Sequence, residues 1–340
     1  MRVARLKESG RRACYHVMSR IVDRQMVMGG EEKEKFRKLM RAVEAFSGVH
    51  VLTYAVLDNH FHILVEVPER QPVSDEELLV RLGFLYTPDQ VGRIALWLRQ
   101  SREDGGDESA EKIKARYTSR MYELSEFVKT LKQKYTQWHN KRHSREGTLW
   151  SQRFKSIMIE PKRARDGQWN NALLTMAAYI DLNAVRAGIV SDPKDYRFSG
   201  YAEACGGGRK AREGIAAIFE NYGQVDGDWA RTAGMYRGQL YERGEQTGRK
   251  AGFAHETVKA VLDGGGKLTS AQALHCRVRY FTDGVVLGGK AFVEEIFDRN
   301  RDQFGVKRRK GARPLRNADF GGLCTMRDLR LAAITPSKAA

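Results

Sequence analysis

Cysteine is scarce in this chain of 340 residues, which contains only four. Cys14, Cys205, Cys276 and Cys324 lie far apart in the sequence, and none of them forms a C-x-x-C pair. Disulfide-stabilised secreted domains need dense cysteines, and zinc ribbons need cysteine pairs at short spacing. The sequence therefore argues against both classes and fits a protein kept in a reducing cytoplasm.

Long apolar runs are also missing. No stretch approaches the roughly 20 apolar residues that a membrane-spanning helix needs. Arg2, Arg5 and Lys7 lie near the start of the chain, without the apolar segment of a signal peptide. We therefore expect a soluble, cytoplasmic protein that is associated with the bacterial nucleoid and has no membrane partner.

Acidic residues are outnumbered, because 59 Lys and Arg stand against 42 Asp and Glu, a formal net charge of +17. Such an excess is typical of proteins that bind polyanions. Residues 129–165 hold 11 basic and two acidic residues, interleaved with aromatic residues. Cations that neutralise phosphates, beside rings that stack on bases, suit an unpaired nucleic-acid strand.

Two interpretations of this basic stretch stay open: a surface that contacts DNA, or a solvated helix whose aromatic residues face the core. We expect some of both, with Trp150 and Phe154 in the core. The predicted DNA-binding residues are Lys132, Lys134, Lys141, Arg142, Arg145, Arg153 and Lys155.

His60-Phe61-His62 is the most informative motif of the chain. Apolar and β-branched residues flank a short Asp58-Asn59 break before it, which predicts a β-hairpin. Because side chains alternate along a strand, His60 and His62 project to the same side. Two imidazoles at this spacing can hold one metal ion. The alternative is that two of the eight histidines fall near a strand end without any such role.

A second motif lies in residues 173–190, which predict a helix that stops at Gly188. Tyr179 and Asn183 are four residues apart and share one helical face. If that face meets the histidine pair, a phenol and an amide oxygen converge on a two-histidine metal, as metal-assisted phosphoryl transfer requires. The alternative is that Tyr179 is a packing residue and Asn183 belongs to a helix end.

Four blocks of sequence, taken in order, resemble the REP-associated tyrosine transposases, a branch of the single-tyrosine HUH endonucleases. The blocks are Tyr15–Arg20, Tyr54–His62, Gly147–Ser156 and Tyr179–Gly188. The resemblance covers roughly residues 10–200. One departure is Ala184, where many relatives carry proline, and we expect it to shift the helix end and leave the chemistry intact.

The resemblance implies an endonuclease and strand transferase that acts on single-stranded or hairpin (REP-like) DNA. Tyr179 would keep the cleaved strand as a 5′-phosphotyrosine, and His60, His62 and Asn183 would hold Mg²⁺ or Mn²⁺. Two nitrogen ligands suit Mn²⁺ better than Mg²⁺. Two alternatives remain: a catalytically silent DNA- or RNA-binding regulator on the same fold, and a metal-dependent phosphodiesterase that uses water.

The periodicity of the first 160 residues predicts β-α-β-β-α-β. The predicted strands are at 12–20, 49–67 (a hairpin) and 154–160, and the predicted helices are at 31–47, 75–101 and 110–140, with an exposed acidic loop at 101–109. This pattern indicates an α+β, ferredoxin-like antiparallel sheet with helices on one face, to which the Tyr179 helix is appended.

The glycine run at 206–208 predicts a boundary between a domain of residues 1–200 and a mainly helical, basic C-terminal domain of residues 210–340. Helical patterns recur at 212–221, 227–242, 253–262, 268–280 and 289–301. DNA binding is one interpretation of this extension, and a flexible basic tail at 307–316 is another. Gly284–Lys290 resembles a phosphate loop, but no strand clearly precedes it, so we expect no nucleotide cofactor. The sequence does not decide between a monomer and a homodimer.

Overall fold

The computed structural model describes residues 6–8, 10–163, 171–219, 229–241, 270–327 and 334–335. Its centre is a sheet whose first four strands have the order β2-β3-β1-β4 and pair antiparallel. These strands are β1 (Ala13–Arg20), β2 (His50–Val56), β3 (His60–Val67) and β4 (Lys155–Ile159). Helix α1 (Gly30–Ser47) joins β1 to β2, and α4 (Leu124–Arg142) precedes β4. The α+β, ferredoxin-like arrangement is therefore confirmed.

Alternation along β3 separates two hydrophobic cores. Phe61 and Ile63 belong to the core between the sheet and helices α1 and α4. Leu64 belongs to the core on the opposite face of the sheet. Because side chains of the same parity share a face, His60 and His62 lie on the side of Leu64, away from α1 and α4.

A second layer of helices covers that opposite face, in addition to the helices predicted for the first. These helices are α5 (Ala172–Asp181), α6 (Asn183–Arg186), α7 (Gly200–Cys205), α8 (Arg209–Ala216) and α9 (Trp229–Tyr241). Helix α8 lies directly against β2, because a Cβ added at Gly214 would stand 2.5 Å from the carbonyl oxygen of Val51. Any side chain at this position would push α8 away from the strand.

The insertion between β3 and α4 consists of α2 (Asp75–Leu82) and α3 (Pro88–Thr118). A capping box between Thr87 and Gln90 starts α3. The loop predicted at 101–109 is wrong, because this exposed segment is helical and departs from helical angles at Gly106. Two of its acidic side chains form ion pairs, Asp107 with Arg102 and Glu108 with Lys112, and the second is an i,i+4 pair of the kind that stabilises a helix. None of the described helices is both long and apolar enough to cross a membrane.

The described residues beyond 210 add short strands to the predicted helices. The strands are β5 (Arg277–Val278), β6 (Val286–Gly288), β7 (Arg313–Pro314), β8 (Cys324–Thr325) and β9 (Ile334–Thr335), and the helices are α10 (Ser270–Leu274), α11 (Tyr280–Asp283) and α12 (Lys290–Arg299). Strand β6 pairs parallel to β4 and continues the sheet through β8 to β7, while β5 pairs with β9. The helix predicted at 253–262 lies outside the described residues, and the division into two domains stays a prediction.

The segment that resembles a phosphate loop, Gly284–Lys290, contains β6 and runs into α12. Helix α11 directly precedes it, so β6 lies within the segment and not before it, as expected from the sequence. The backbone N–H of Gly289 donates a hydrogen bond to the Glu160 carboxylate at 2.8 Å. An acidic side chain thus occupies the helix N-terminus where a phosphate would bind.

Candidate active site

A cleft of about 990 Å³ collects the chemically active residues predicted from three separate segments of the chain. The predicted residues that line it are His60, His62, Arg153, Lys155, Tyr179 and Asn183. They meet because the face of the sheet that carries the histidines is also the face covered by α5. The tyrosine motif and the histidine motif therefore belong to one site.

Both histidines of the motif have one ring nitrogen engaged. Nδ1 of His60 lies 2.6 Å from Oδ1 of Asn59, and because an amide oxygen accepts, Nδ1 carries the proton. Nδ1 of His62 lies 2.8 Å from Nε2 of His16. Burial lowers the pKa of His60 to about 3 and that of His62 well below its usual range. Both imidazoles are therefore neutral at pH 7, the form in which histidine ligates metals, with Nε2 as the remaining nitrogen.

His16 is a member of the site that sequence reasoning did not assign. It is fully buried on β1, and burial lowers its pKa to about 3. The backbone of Phe281 acts in the opposite direction and favours a proton on the ring. In the tautomer of His16 that carries its proton on Nδ1, Nε2 accepts from Nδ1 of His62, which leaves a lone pair on Nε2 of His62. His16 thus orients a candidate ligand, as residues behind metal-bound histidines commonly do.

Tyr179 lies in the last turn of α5. The predicted helix at 173–190 is interrupted at Leu182, which separates α5 from α6, and Gly188 adopts φ 69° after the second helix, as expected for a stop. The Tyr179 ring stands perpendicular to the ring of His62 with 6.5 Å between their centroids. Asn183 opens α6 and lines the same cleft despite the break.

Asp181, two residues after Tyr179, is fully buried and anchors the end of α5. Its carboxylate accepts hydrogen bonds from Thr53 on β2, from the backbone N–H of Tyr201 on α7 and from the hydroxyl of Tyr236 on α9. Burial raises its pKa to about 7, although these donors favour the charged form. The end of the tyrosine helix is therefore fixed to three other elements.

The cleft is strongly basic. Six basic and two acidic side chains line it; the basic ones are Arg20, Arg24, Arg153, Lys155, Arg186 and Arg277, and the acidic ones are Asp23 and Asp283. Lys155 and Asp283 form an ion pair at 2.9 Å. Asp23 and Arg24 both adopt left-handed backbone angles, with φ of 52° and 58°, a strained geometry that often occurs at functional sites. A polyanion is the ligand that such a lining favours.

Five of the predicted DNA-binding residues do not line this cleft. They are Lys132, Lys134, Lys141, Arg142 and Arg145, and they belong to α4 and the turn after it, on the other face of the sheet. Lys134 donates to the carbonyl of Leu85, whereas Lys132 donates to the carbonyl of Gln152, a cleft residue. Trp150 and Phe154 are buried, as predicted. DNA contacts by the α4 residues stay a prediction.

The residues of the cleft fit a divalent metal that has mixed ligands. Among the described residues, no cluster of three or more His, Cys, Asp or Glu side chains could hold a metal ion. The candidate ligands that share the cleft are the two neutral imidazoles, from His60 and His62, and the Asn183 amide oxygen, and their binding of a metal stays a prediction. Water or phosphate oxygens would complete the shell, and the nitrogen content favours Mn²⁺ over Mg²⁺.

These features define an α+β protein with a basic cleft built around two histidines and a tyrosine. Residues 11–76, which include both histidines of the motif, match the family model described as "Transposase IS200 like". This match confirms the resemblance to transposases over that segment. No curated protein matches the chain.

Among solved structures, the chain is similar to "Structure of the REP associates tyrosine transposase bound to a REP hairpin". The sequence identity is 14%, the TM-score is 0.37, and the similarity covers 61% of this chain and 86% of the other.

Proposed function

We propose that this protein is a transposase that cuts and rejoins single-stranded DNA through a 5′-phosphotyrosine on Tyr179. The observation that carries the proposal is the meeting of Tyr179 with His60 and His62 in one basic cleft. The match of residues 11–76 to a transposase family supports the class of the reaction.

The chemistry follows from the groups in the cleft. The Tyr179 phenol attacks the scissile phosphorus, its oxygen forms a bond to phosphorus, and the bond to the 3′-oxygen breaks. The phenolic proton passes to solvent, solvent returns a proton to the departing 3′-oxygen, and the strand leaves as a 3′-hydroxyl. Because the phosphotyrosine ester conserves the energy of the broken bond, a 3′-hydroxyl of another strand can reverse the step and regenerate the free phenol.

The histidines and the basic side chains of the cleft act on the scissile phosphate. His60, His62 and Asn183 would hold Mg²⁺ or Mn²⁺, which, when bound, polarises the phosphate and neutralises developing charge. His16 keeps the ring of His62 oriented through their 2.8 Å contact. The surrounding arginines and Lys155 attract the backbone of the strand.

An unpaired strand is the proposed substrate, beside a hairpin of the kind that the family resemblance implies. The described residues show no nucleotide-dependent device that would open duplex DNA. A cleft lined by arginines can accept an extruded single strand, whereas a paired duplex keeps its bases stacked.

The test is to trap a covalent protein–DNA adduct with labelled oligonucleotides. The wild type should form an adduct with a hairpin that has an unpaired flank, and Tyr179→Phe should form none while binding the oligonucleotide almost as tightly, because only the hydroxyl is lost. Tyr135→Phe is the matched control, since Tyr135 is fully buried in the core on the other face of the sheet. Adducts that survive Tyr179→Phe, or equal cleavage of a fully paired duplex, would contradict the proposal.

A further inference from the structure

A short segment of the extension forms one wall of the cleft. This C-terminal wall comprises residues 274–283, from the end of α10 through β5 to α11. It contributes Arg277, Thr282 and Asp283 to the lining, although more than 90 residues separate it in sequence from Tyr179. Sequence patterns alone gave this segment no role beyond general contact with phosphate.

Arg186 connects the C-terminal wall to the proposed nucleophile. Its Nη2 donates to the carbonyl of Tyr179 at 2.6 Å, and its Nη1 donates to the carbonyl of Leu274 at 2.9 Å. The carbonyls in the last turn of a helix lack intrahelical partners, so this side chain supplies a partner that α5 does not. One planar guanidinium therefore joins the end of the tyrosine helix to the wall.

The same guanidinium also holds the ring of the tyrosine. Its central carbon lies 3.9 Å from the centroid of the Tyr179 ring, which is a cation–π contact. From the wall itself, the Phe281 ring meets Tyr179 nearly edge-on, with 5.0 Å between centroids and 73° between planes. Phe281 is fully buried, so its own position is fixed by packing. Two side chains thus restrict the side-chain torsions of Tyr179.

We propose that Arg186 and Phe281 are positioning residues that hold the Tyr179 hydroxyl in line with the scissile phosphate, and that the C-terminal wall is an integral part of the active site. This inference rests on the proposed function. Nucleophilic displacement depends on the angle and distance of approach, and a misplacement of about 1 Å reduces the rate about 100-fold. A phenol on a freely rotating side chain would reach the phosphorus in a small fraction of its conformers.

The variants to compare in the full-length chain are Arg186→Lys and Phe281→Leu. Lysine keeps the positive charge of the cleft but loses the planar fork that bonds two carbonyls and stacks on the ring. Leucine keeps most of the apolar volume at position 281 and loses the aromatic edge. The matched controls are Arg212→Lys and Phe297→Leu, because Arg212 stacks on Trp229 and donates to a backbone carbonyl, and Phe297 is a buried ring paired with another phenylalanine, both outside the cleft.

Two quantities are measured on the same oligonucleotide: its Kd, and the rate of adduct formation at saturating DNA. Arg186→Lys and Phe281→Leu should each lower the rate about 10- to 100-fold while Kd stays within about threefold, and the two controls should match the wild type. The rate of adduct formation in the double variant should fall by less than the product of the two single reductions, because both residues act on one ring. A residue with a merely structural role would change thermal stability without this split between rate and affinity.

Wild-type rates in both variants, or effects confined to Kd, would overturn the inference while leaving the proposed function intact. If Phe281→Leu does not fold, Arg186→Lys decides alone, since it preserves both charge and chain length. If the wild type forms no adduct that depends on Tyr179, the proposed function fails, and this inference fails with it.

Discussion

Replacement of His16 by phenylalanine should weaken metal-dependent cleavage, although every proposed metal ligand stays in place. The change keeps an aromatic ring in a fully buried position on β1 and removes the nitrogen that lies 2.8 Å from Nδ1 of His62. His62 is then left with two unfavourable choices. It can keep the proton on Nδ1, where the buried donor has no acceptor, or move it to Nε2, where it blocks the lone pair that a metal needs.

The magnitude follows from these two choices. A buried donor without a partner reduces stability by about 1–3 kcal/mol. Loss of a residue that orients a metal-ligating histidine typically costs about 10- to 100-fold in metal affinity or activity. We therefore expect the Mn²⁺ concentration for half-maximal adduct formation to rise by about that factor.

The assay is a Mn²⁺ titration of adduct formation, with a thermal melt of each variant as the measure of folding. His16→Gln should recover part of the loss, because its side-chain oxygen can accept where Nε2 did. His139→Phe is the matched control, since His139 is buried on α4 and packs against Tyr135 on the other face of the sheet, outside the cleft. Half-saturation of His16→Phe at the wild-type Mn²⁺ concentration would refute the orienting role.

Three further predictions test the same site. EDTA, or His60→Ala, should remove most adduct formation, and full activity in EDTA would rule out the proposed role of the histidines. Affinity for an unpaired strand should fall steeply with salt: besides Arg186, which bonds two backbone carbonyls, five basic side chains line the cleft, and contact of each with one phosphate gives a log–log slope of about −3.5, so a slope shallower than −1 would show that the strand binds elsewhere. Asp181→Asn should flatten the pH dependence of stability: burial raises the pKa of Asp181 to about 7, so the folded state holds its proton up to a higher pH than the unfolded state, and wild-type stability should decline by on the order of 2–4 kcal/mol from about pH 4 to pH 7. Urea unfolding at pH 4 and pH 7 measures this difference, and a variant with the wild-type pH profile would contradict it.

Strong local patterns predicted the first half of the fold. The hairpin around Asp58 and Asn59 and the shared face of His60 and His62 follow from alternation within a single strand pair, so no distant contact was needed to infer them. The loop predicted at 101–109 was wrong because it also relied on a local pattern alone. Its composition is typical of a loop, but ion pairs along and between α2 and α3 stabilise a helix there, and glycine interrupts it at one position.

The contact of His16 with His62 depends on strand register, which the sequence does not provide. His16 reaches His62 because β1 and β3 pair antiparallel with Met18 opposite His62, and this register brings His16 close to His62 on the same face. A shift of one residue would have turned His16 into the other core. Arg186 lies in Tyr179–Gly188, one of the blocks that resemble the transposases, but its contact with Tyr179 requires the break at Leu182, which helical periodicity does not reveal.

The extension shows most clearly what composition alone misses. The glycine run at 206–208 marks the turn between α7 and α8, and α8 continues the layer that covers β2. Strands of two or three residues, such as β6 and β8, are too short to leave an alternating pattern, although they carry the sheet beyond β4. Tyr236 bonds the buried Asp181, and Leu274 bonds Arg186, so residues beyond 210 hold both the end of the tyrosine helix and the side chain stacked on the tyrosine. A substitution in the extension that displaces either contact should therefore change the geometry of Tyr179, and its effect on cleavage should be measured separately from its effect on DNA binding.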